Sequence, residues 1–166
     1  EAVVTNGMSC FARNGKNANT AVVCSVSAED FGSDPFKAMD FQEQLEHAAF
    51  VLGGGKAPAQ TVGAFLHGGA SHFGRVEPTY ARGVAEADLR RLFPAEITSV
   101  LQKGLLNFNT KLAGFAAADA VLTGPETRTS SPVRIVRNPE SLEAVGADGL
   151  YPCAEGAGYA GGIMSA

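Results

Sequence analysis

Pro94-Ala95-Glu96-Ile97-Thr98-Ser99-Val100-Leu101-Gln102-Lys103-Gly104-Leu105-Leu106-Asn107-Phe108-Asn109-Thr110-Lys111-Leu112 carries a helical rhythm, and the residues after it change to the habit of strands. Ile97, Leu101, Leu105, Phe108 and Leu112 recur every three to four positions, which lines one face of a helix. Pro94 stands at the helix start, where a missing N–H costs nothing, and Gly114 follows the stop. Downstream, Asp119 to Thr123 and Pro132 to Arg137 are predicted as short strands. Upstream, Phe41, Leu45, Ala48 and Leu52 predict a second helix, halted by Gly53-Gly54-Gly55. A further helical piece is expected from Pro58 to Leu66, before a loop through Gly68-Gly69, Gly74 and Pro78. Val3-Val4 and, past a Gly/Asn-rich passage, Ala21 to Val26 read as a hairpin-like pair of strands. The expected fold is α+β: a small mixed or antiparallel β core with a helical insertion, ending in a strand, a glycine-rich turn and a helix start. Within a single fragment this places a β segment over 1–35, the helical insertion over 36–115, a β segment over 116–148 and the closing strand and helix start over 149–166.

The 166 residues, 45% hydrophobic and 18% charged, suffice for one real core. A net charge of -4 with scattered acidic and basic side chains leaves no basic stripe to neutralise a run of phosphates, so nucleic acid is not expected as a partner. The longest apolar runs, such as Ala113 to Ala118, fall far short of the roughly 20 residues that cross a bilayer, and no membrane partner is expected. Cys10, Cys24 and Cys153 are odd in number and widely spaced, with no CxxC or Cys/His cluster. Reduced thiols in a cytoplasmic protein without a metal site fit that pattern best. Glu1 leads directly into a strand-like run and Ala166 stops inside a beginning helix, so both ends read as cuts in a longer chain.

The sharpest motif is Gly149-Leu150-Tyr151-Pro152-Cys153-Ala154-Glu155-Gly156-Ala157-Gly158-Tyr159-Ala160-Gly161-Gly162-Ile163, in which Gly156 to Gly161 formally matches GxGxxG. Such glycines let backbone approach a ligand closely, and a helix N-terminus offers unpaired N–H groups to an anion or polarised carbonyl. A complete dinucleotide fingerprint also needs an acidic residue about 20 positions further on, and the chain ends before that point. The spacing by itself fits a tight strand-to-helix junction equally well.

A second group, Glu126-Thr127-Arg128-Thr129-Ser130-Ser131-Pro132-Val133-Arg134, packs two guanidinium groups and four hydroxyls into nine residues. Arg128 and Arg134 with Thr129, Ser130 and Ser131 make a candidate clamp for a carboxylate or phosphate, because guanidinium meets such groups in bidentate fashion. A solvated turn beside an edge strand is the competing reading. Asn17 and Asn19, with Asn6 and Arg13, are weaker candidates, since Asn and Gly also serve as turn chemistry. His47, His67 and His72 have no carboxylate at metal-ligand spacing, Ser130 and Ser131 lack a GxSxG elbow, and no catalytic residue is identified.

The closing motif has companions: Val4-Thr5-Asn6-Gly7-Met8-Ser9, Arg13 with Asn17-Ala18-Asn19, Phe41-Gln42 to Phe50 with Gly53-Gly54, Ala57-Pro58-Ala59-Gln60, and Gly124 through Ile135. In this order, and over practically the whole chain, the sequence resembles a bacterial family of uncharacterised FAD-dependent, NAD(FAD)-utilising dehydrogenase-like proteins. The resemblance implies a flavoprotein whose FAD-binding part lies mostly upstream of Glu1, with this chain supplying a middle, substrate-side domain and then returning to the flavin. It also implies that Glu155 takes the acidic position that bonds the ribityl chain, that Gly156 and Gly158 shape the turn, and that backbone around Gly161, Gly162 and Ile163 faces the flavin ring. Ala154 stands where the family pattern has glycine, which weakens the match wherever that position needs positive φ.

The expected function is thus that of an FAD-dependent oxidoreductase in the complete protein, acting on a small-molecule substrate, with NAD(P) as a possible electron partner and the N-terminal FAD-binding domain as the missing physical partner. The fragment itself is expected to hold no FAD and to be catalytically silent. The rival expectation is a non-catalytic binding or interaction module whose motifs are packing devices.

Overall fold

Ala57-Pro58-Ala59-Gln60-Thr61 is buried at every position and forms the middle strand of the only sheet among the described residues, 1–159, of this computed structural model. The elements are α1 (Ala28–Phe31), α2 (Phe36–Gly53), β1 (Ala57–Thr61), α3 (Val62–His67), β2 (Val84–Glu86), α4 (Ala95–Lys111) and β3 (Val121–Thr123), with short 3-10 turns at Leu89–Arg91 and Glu155–Ala157. The fold is α+β, and its three-stranded sheet is mixed: β1 runs parallel to β2 and antiparallel to β3.

Two units make up the chain, residues 1–25 with 44–126 and residues 26–43 with the part from 127 onward. In the larger unit, β1 pairs Ala57 with Val84 on one side and Ala59 with Thr123 on the other. Pro58 sits at the strand's start, where Gly124 N still donates to its carbonyl at 3.1 Å, the one bond of that pair a proline can make. β1 passes into α3 with no loop, because Thr61 Oγ1 accepts from Ala64 N and caps the helix it precedes. Gly63 permits close packing there, since a Cβ would lie 3.1 Å from both the Cβ and the carbonyl oxygen of Ala118.

Gln60, fully buried in the middle strand, accepts from Leu89 N at 3.1 Å through Oε1 and so anchors the Leu89–Arg91 turn to the sheet. Beside it, Asp88 accepts from Arg90 Nε at 2.8 Å and Nη2 at 2.7 Å, and this side-chain bond holds the Asp88 carboxyl below its ordinary value. The core consists of Ala49 from α2, Phe65 from α3, Leu89 and Leu92 from the 3-10 turn and its end, and Leu105 from α4, with Ala48, Leu52 and Leu101 packed against it. Burying that apolar surface is what holds the helices to the sheet, at about 25 cal/mol for each Å² removed from water.

The helices predicted around Phe41 and Pro94 are formed as α2 and α4, and the strand predicted at Asp119 to Thr123 is formed as β3. Four expectations need correction. The helix from Pro58 to Leu66 is half strand: β1 holds no β-branched residue before Thr61, so its burial, not its propensity, makes it a strand. Val3-Val4 and Ala21 to Val26 do not pair as strands. Instead Val3 N donates to Glu46 O at 3.0 Å and Thr5 N to Pro125 O at 2.7 Å, partners that no local pattern specifies. Pro132 to Arg137 is not a strand either; only Arg137 makes a bridge, to Ala144. The stretch from Gly149 to Cys153 lacks strand pairing and leads into a 3-10 turn.

Within the smaller unit, Phe31 of α1 packs against Phe41 of α2 with ring centroids 5.5 Å apart and ring planes tilted by 46°. Arg137 and Ala144 bridge a minimal hairpin in which Asn138 N donates to Glu143 O at 2.9 Å and Val145 N to Val136 O at 2.9 Å. Asn138 Oδ1 closes the turn by accepting from Glu140 N and Ser141 N.

Candidate functional site

The path of the chain around Glu155 is set by two residues with positive φ. Gly158 has φ 81° and lies so close to the 133–134 backbone that a Cβ there would be 2.6 Å from Val133 O and 2.9 Å from Arg134 Cα. Only glycine fits without displacing backbone. Ala154 has φ 62° and ψ -168°, a region that L side chains avoid and glycine enters freely. The position filled by glycine in the resembled family therefore does require glycine-like backbone, and Ala154 adopts it under strain.

These angles lay the Glu155–Ala157 turn against residues 131–135. Ser131 donates its hydroxyl to Val133 O at 2.8 Å, with Gly156 O a second acceptor at 3.3 Å. Ile135 N donates to Ala157 O at 3.2 Å, and Arg134 Nε donates to Gly158 O at 2.8 Å. Tyr159 completes the brace: its hydroxyl donates to Ile135 O at 2.8 Å, while Arg137 lies 3.8 Å from its ring centroid and bonds Pro152 O.

An open cleft of about 290 Å³ lies along this junction, lined by Gln42, Arg128, Ser130, Ser131, Pro132, Glu155 and Gly156. Two groups that are separate in sequence, the hydroxyl and guanidinium stretch and the glycine-rich turn, thus share one cavity. Gln42 joins them from α2, and its Nε2 donates to Thr127 O at 2.9 Å. Nothing in the apolar period of α2 marked Gln42 as a lining residue; it is simply the neighbour of Phe41.

The remaining candidates go elsewhere. Thr129 is exposed and not part of the lining. Arg134 and Gly158 bond each other. Asn17 and Asn19 belong to the larger unit, where Asn17 Nδ2 donates to Glu77 O at 2.8 Å and Asn19 Nδ2 to Met8 O at 2.7 Å, as loop fasteners do. Gly161, Gly162 and Ile163 lie outside the described residues.

The cleft's lining has the hydrogen-bonding chemistry that one part of a flavin dinucleotide would need. Its volume stands at the small end for ligand pockets, which run from about 300 to 1,000 Å³, so it matches one portion of such a cofactor rather than the whole. Glu155 brings a hydrogen-bond acceptor of the kind sugar-type hydroxyls meet, and Ser130 and Arg128 bring a hydroxyl and a guanidinium to the same lining. Among the described residues, no group of three His, Cys, Asp or Glu side chains could hold a metal ion, and no helix is long and apolar enough to cross a membrane.

Sequence comparison bears on the same point. The family described as "FAD-dependent protein, C-terminal domain-like" matches residues 1–129. A protein of Clostridium beijerinckii (strain ATCC 51743 / NCIMB 8052), described only as "Uncharacterized protein", is 50% identical over 168 residues, covering 99% of this chain and 31% of the relative. This chain therefore spans less than a third of the length of that curated relative. With most of its length matched, the chain belongs to the FAD-dependent protein, C-terminal domain-like family.

Proposed function

We propose that the chain is the substrate-side part of an FAD-dependent oxidoreductase, a dehydrogenase, and that the cleft of Gln42, Arg128, Ser130 and Glu155 is where it meets both flavin and substrate. The observation that carries this reading is the convergence of Arg128 and Ser130 with Glu155 and Gly156 on one cavity, in a chain whose family is FAD-dependent.

In this arrangement the Glu155 carboxylate accepts hydrogen bonds from ribityl hydroxyls, and the Gly156 to Gly158 turn brings backbone close to the cofactor. Arg128 and Ser130 hold and orient a small anionic substrate. Arg134 acts one step back, through the carbonyl of Gly158, by keeping the turn in place. When bound, the flavin supplies the electron-accepting chemistry, and the chain contributes placement and charge. The remaining partners are the FAD-binding part of the same polypeptide and, where electrons pass onward, NAD or NADP. A cytoplasmic setting agrees with three free cysteines.

The test is the visible absorbance of the complete protein, before and after Glu155→Gln. A flavin band that drops several-fold in the variant, with the unfolding midpoint unchanged, supports the assignment. A complete protein that is colourless and takes up no added FAD overturns it and leaves the interaction module.

A further inference from the structure

The smaller unit's hairpin has the wrong outer face for a surface in water. Arg137 and Ala144 face each other across the bridge, with Ala144 buried and Arg137 stacked on Tyr159. Alternation along the strands puts Val136 and Val145, joined by Val145 N to Val136 O, on the opposite face. There they are 64% and 69% exposed. Ile135, Leu142, Leu150 and Tyr151 are also exposed in the same stretch, and Ala144 N bonds Leu150 O, which keeps Leu150 beside the hairpin. A half-solvated β face ordinarily alternates apolar inside with polar outside. Two β-branched aliphatic residues paired on the outer side instead, with further apolar residues beside them, mark a surface meant to be covered.

We infer that this face is the docking surface for the flavin-binding part of the same polypeptide, an inference that rests on the oxidoreductase reading. Two observations favour that occupant over a separate partner. The hairpin is fastened to the turn that lines the cleft, through Ile135 N to Ala157 O, Tyr159 Oη to Ile135 O and Arg137 to Pro152 O. Whatever brings a flavin to Glu155 lands beside it. In the Clostridium beijerinckii relative, moreover, the stretch matching this chain is 31% of the polypeptide, which leaves ample chain in that protein to cover such a face. Interfaces between domains of one chain typically cover about 600 to 1,500 Å², and exposed apolar residues clustered as here would form the centre of one.

The experiment uses the complete protein and two readouts. Carbene footprinting reports whether Val136 and Val145 are covered, and absorbance reports flavin. Labelling of both valines at least threefold below that in the denatured protein, together with a several-fold loss of flavin and gain of labelling at Tyr151 in V136D/V145D, supports the docking face. V136T/V145T, which keeps the shape and β propensity, should behave nearly as the parent, and V136K/V145K should repeat the loss if charge on the face is the cause. Valines labelled as in the denatured protein, beside a flavin band untouched by the Asp pair, overturn the inference while the oxidoreductase reading stands. Protection that appears only as protein concentration rises assigns the face to a second copy and also overturns it. Protected valines in a protein that takes up no flavin leave the docking within the polypeptide intact and sink the cofactor reading.

Discussion

Arg134 donates from Nε to the carbonyl oxygen of Gly158 at 2.8 Å, joining the guanidinium-rich stretch to the glycine-rich turn across 24 residues of sequence. That bond commits Arg134 of the predicted anion clamp to backbone, while Arg128 lines the cleft. Arg134→Ala is expected to lower stability by roughly 1 kcal/mol, the worth of an exposed charge-assisted bond. Lysine should not restore it, since the planar group that also lies 5.1 Å from the Tyr159 ring is lost. Urea denaturation midpoints of the three proteins decide the matter.

Gly158→Ala should be far more damaging. A methyl group there meets Val133 O at 2.6 Å, in a backbone conformation with φ 81° that alanine resists. Both effects act together, and a loss of about 2 kcal/mol or more is expected. A variant with an unchanged denaturation midpoint would mean that the 131–135 loop is not packed against the turn.

Ala154→Gly should go the other way. Ala154 holds φ 62° and ψ -168°, at a cost of about 1 to 3 kcal/mol for a residue with a Cβ. Glycine removes that strain while adding freedom to the unfolded chain, so a net gain of about 1 kcal/mol is expected. The same denaturation measurement checks it, and flavin content of the complete protein should rise or hold, never fall.

Asp88 supplies a pH dependence with a definite sign. Its side-chain bond with Arg90 makes its carboxyl more acidic in the folded state than in the unfolded chain. The resulting stabilisation is fully present above the unfolded carboxylate value, about 3.9, and is lost as pH falls through the lower folded value. Asp88→Asn retains an acceptor for Arg90 N and so still caps the 3-10 turn. It should therefore flatten the acid limb of stability below about pH 4, read from urea midpoints at neutral pH and at pH 3.

The two long helices were legible because each is an apolar stripe of helical period with a start or stop beside it: Pro94 before α4, Gly53-Gly54-Gly55 at the end of α2. The strand β3 followed from Val121-Leu122 in a short apolar run. The candidate site was legible in its parts. Arg128, Ser130 and Ser131 were singled out by residue type, Gly156 by the GxGxxG spacing and Glu155 by the family resemblance, and all five line one cleft. Gln42, in the same lining, was marked only as part of the resembled Phe41-Gln42 stretch and by no local pattern of its own.

Period and residue type speak about neighbours in sequence, and so they determined the α+β class, the presence of the two long helices and the kinds of chemistry each short motif can carry. Tertiary structure decided everything that depends on a distant partner. Ala57 to Thr61 is a strand because β2 and β3 flank it and bury every residue, not because its side chains prefer extension. Val3 and Thr5 bond Glu46 and Pro125 instead of the nearby valines. Arg134 serves backbone while Arg128 lines the cavity, although the two are equivalent in composition, because only the fold brings Gly158 within 2.8 Å of one of them. Local propensity is worth tenths of a kcal/mol per residue, whereas burial of one side chain is worth about 1.5 to 3, and that difference sets where the reading of a sequence ends.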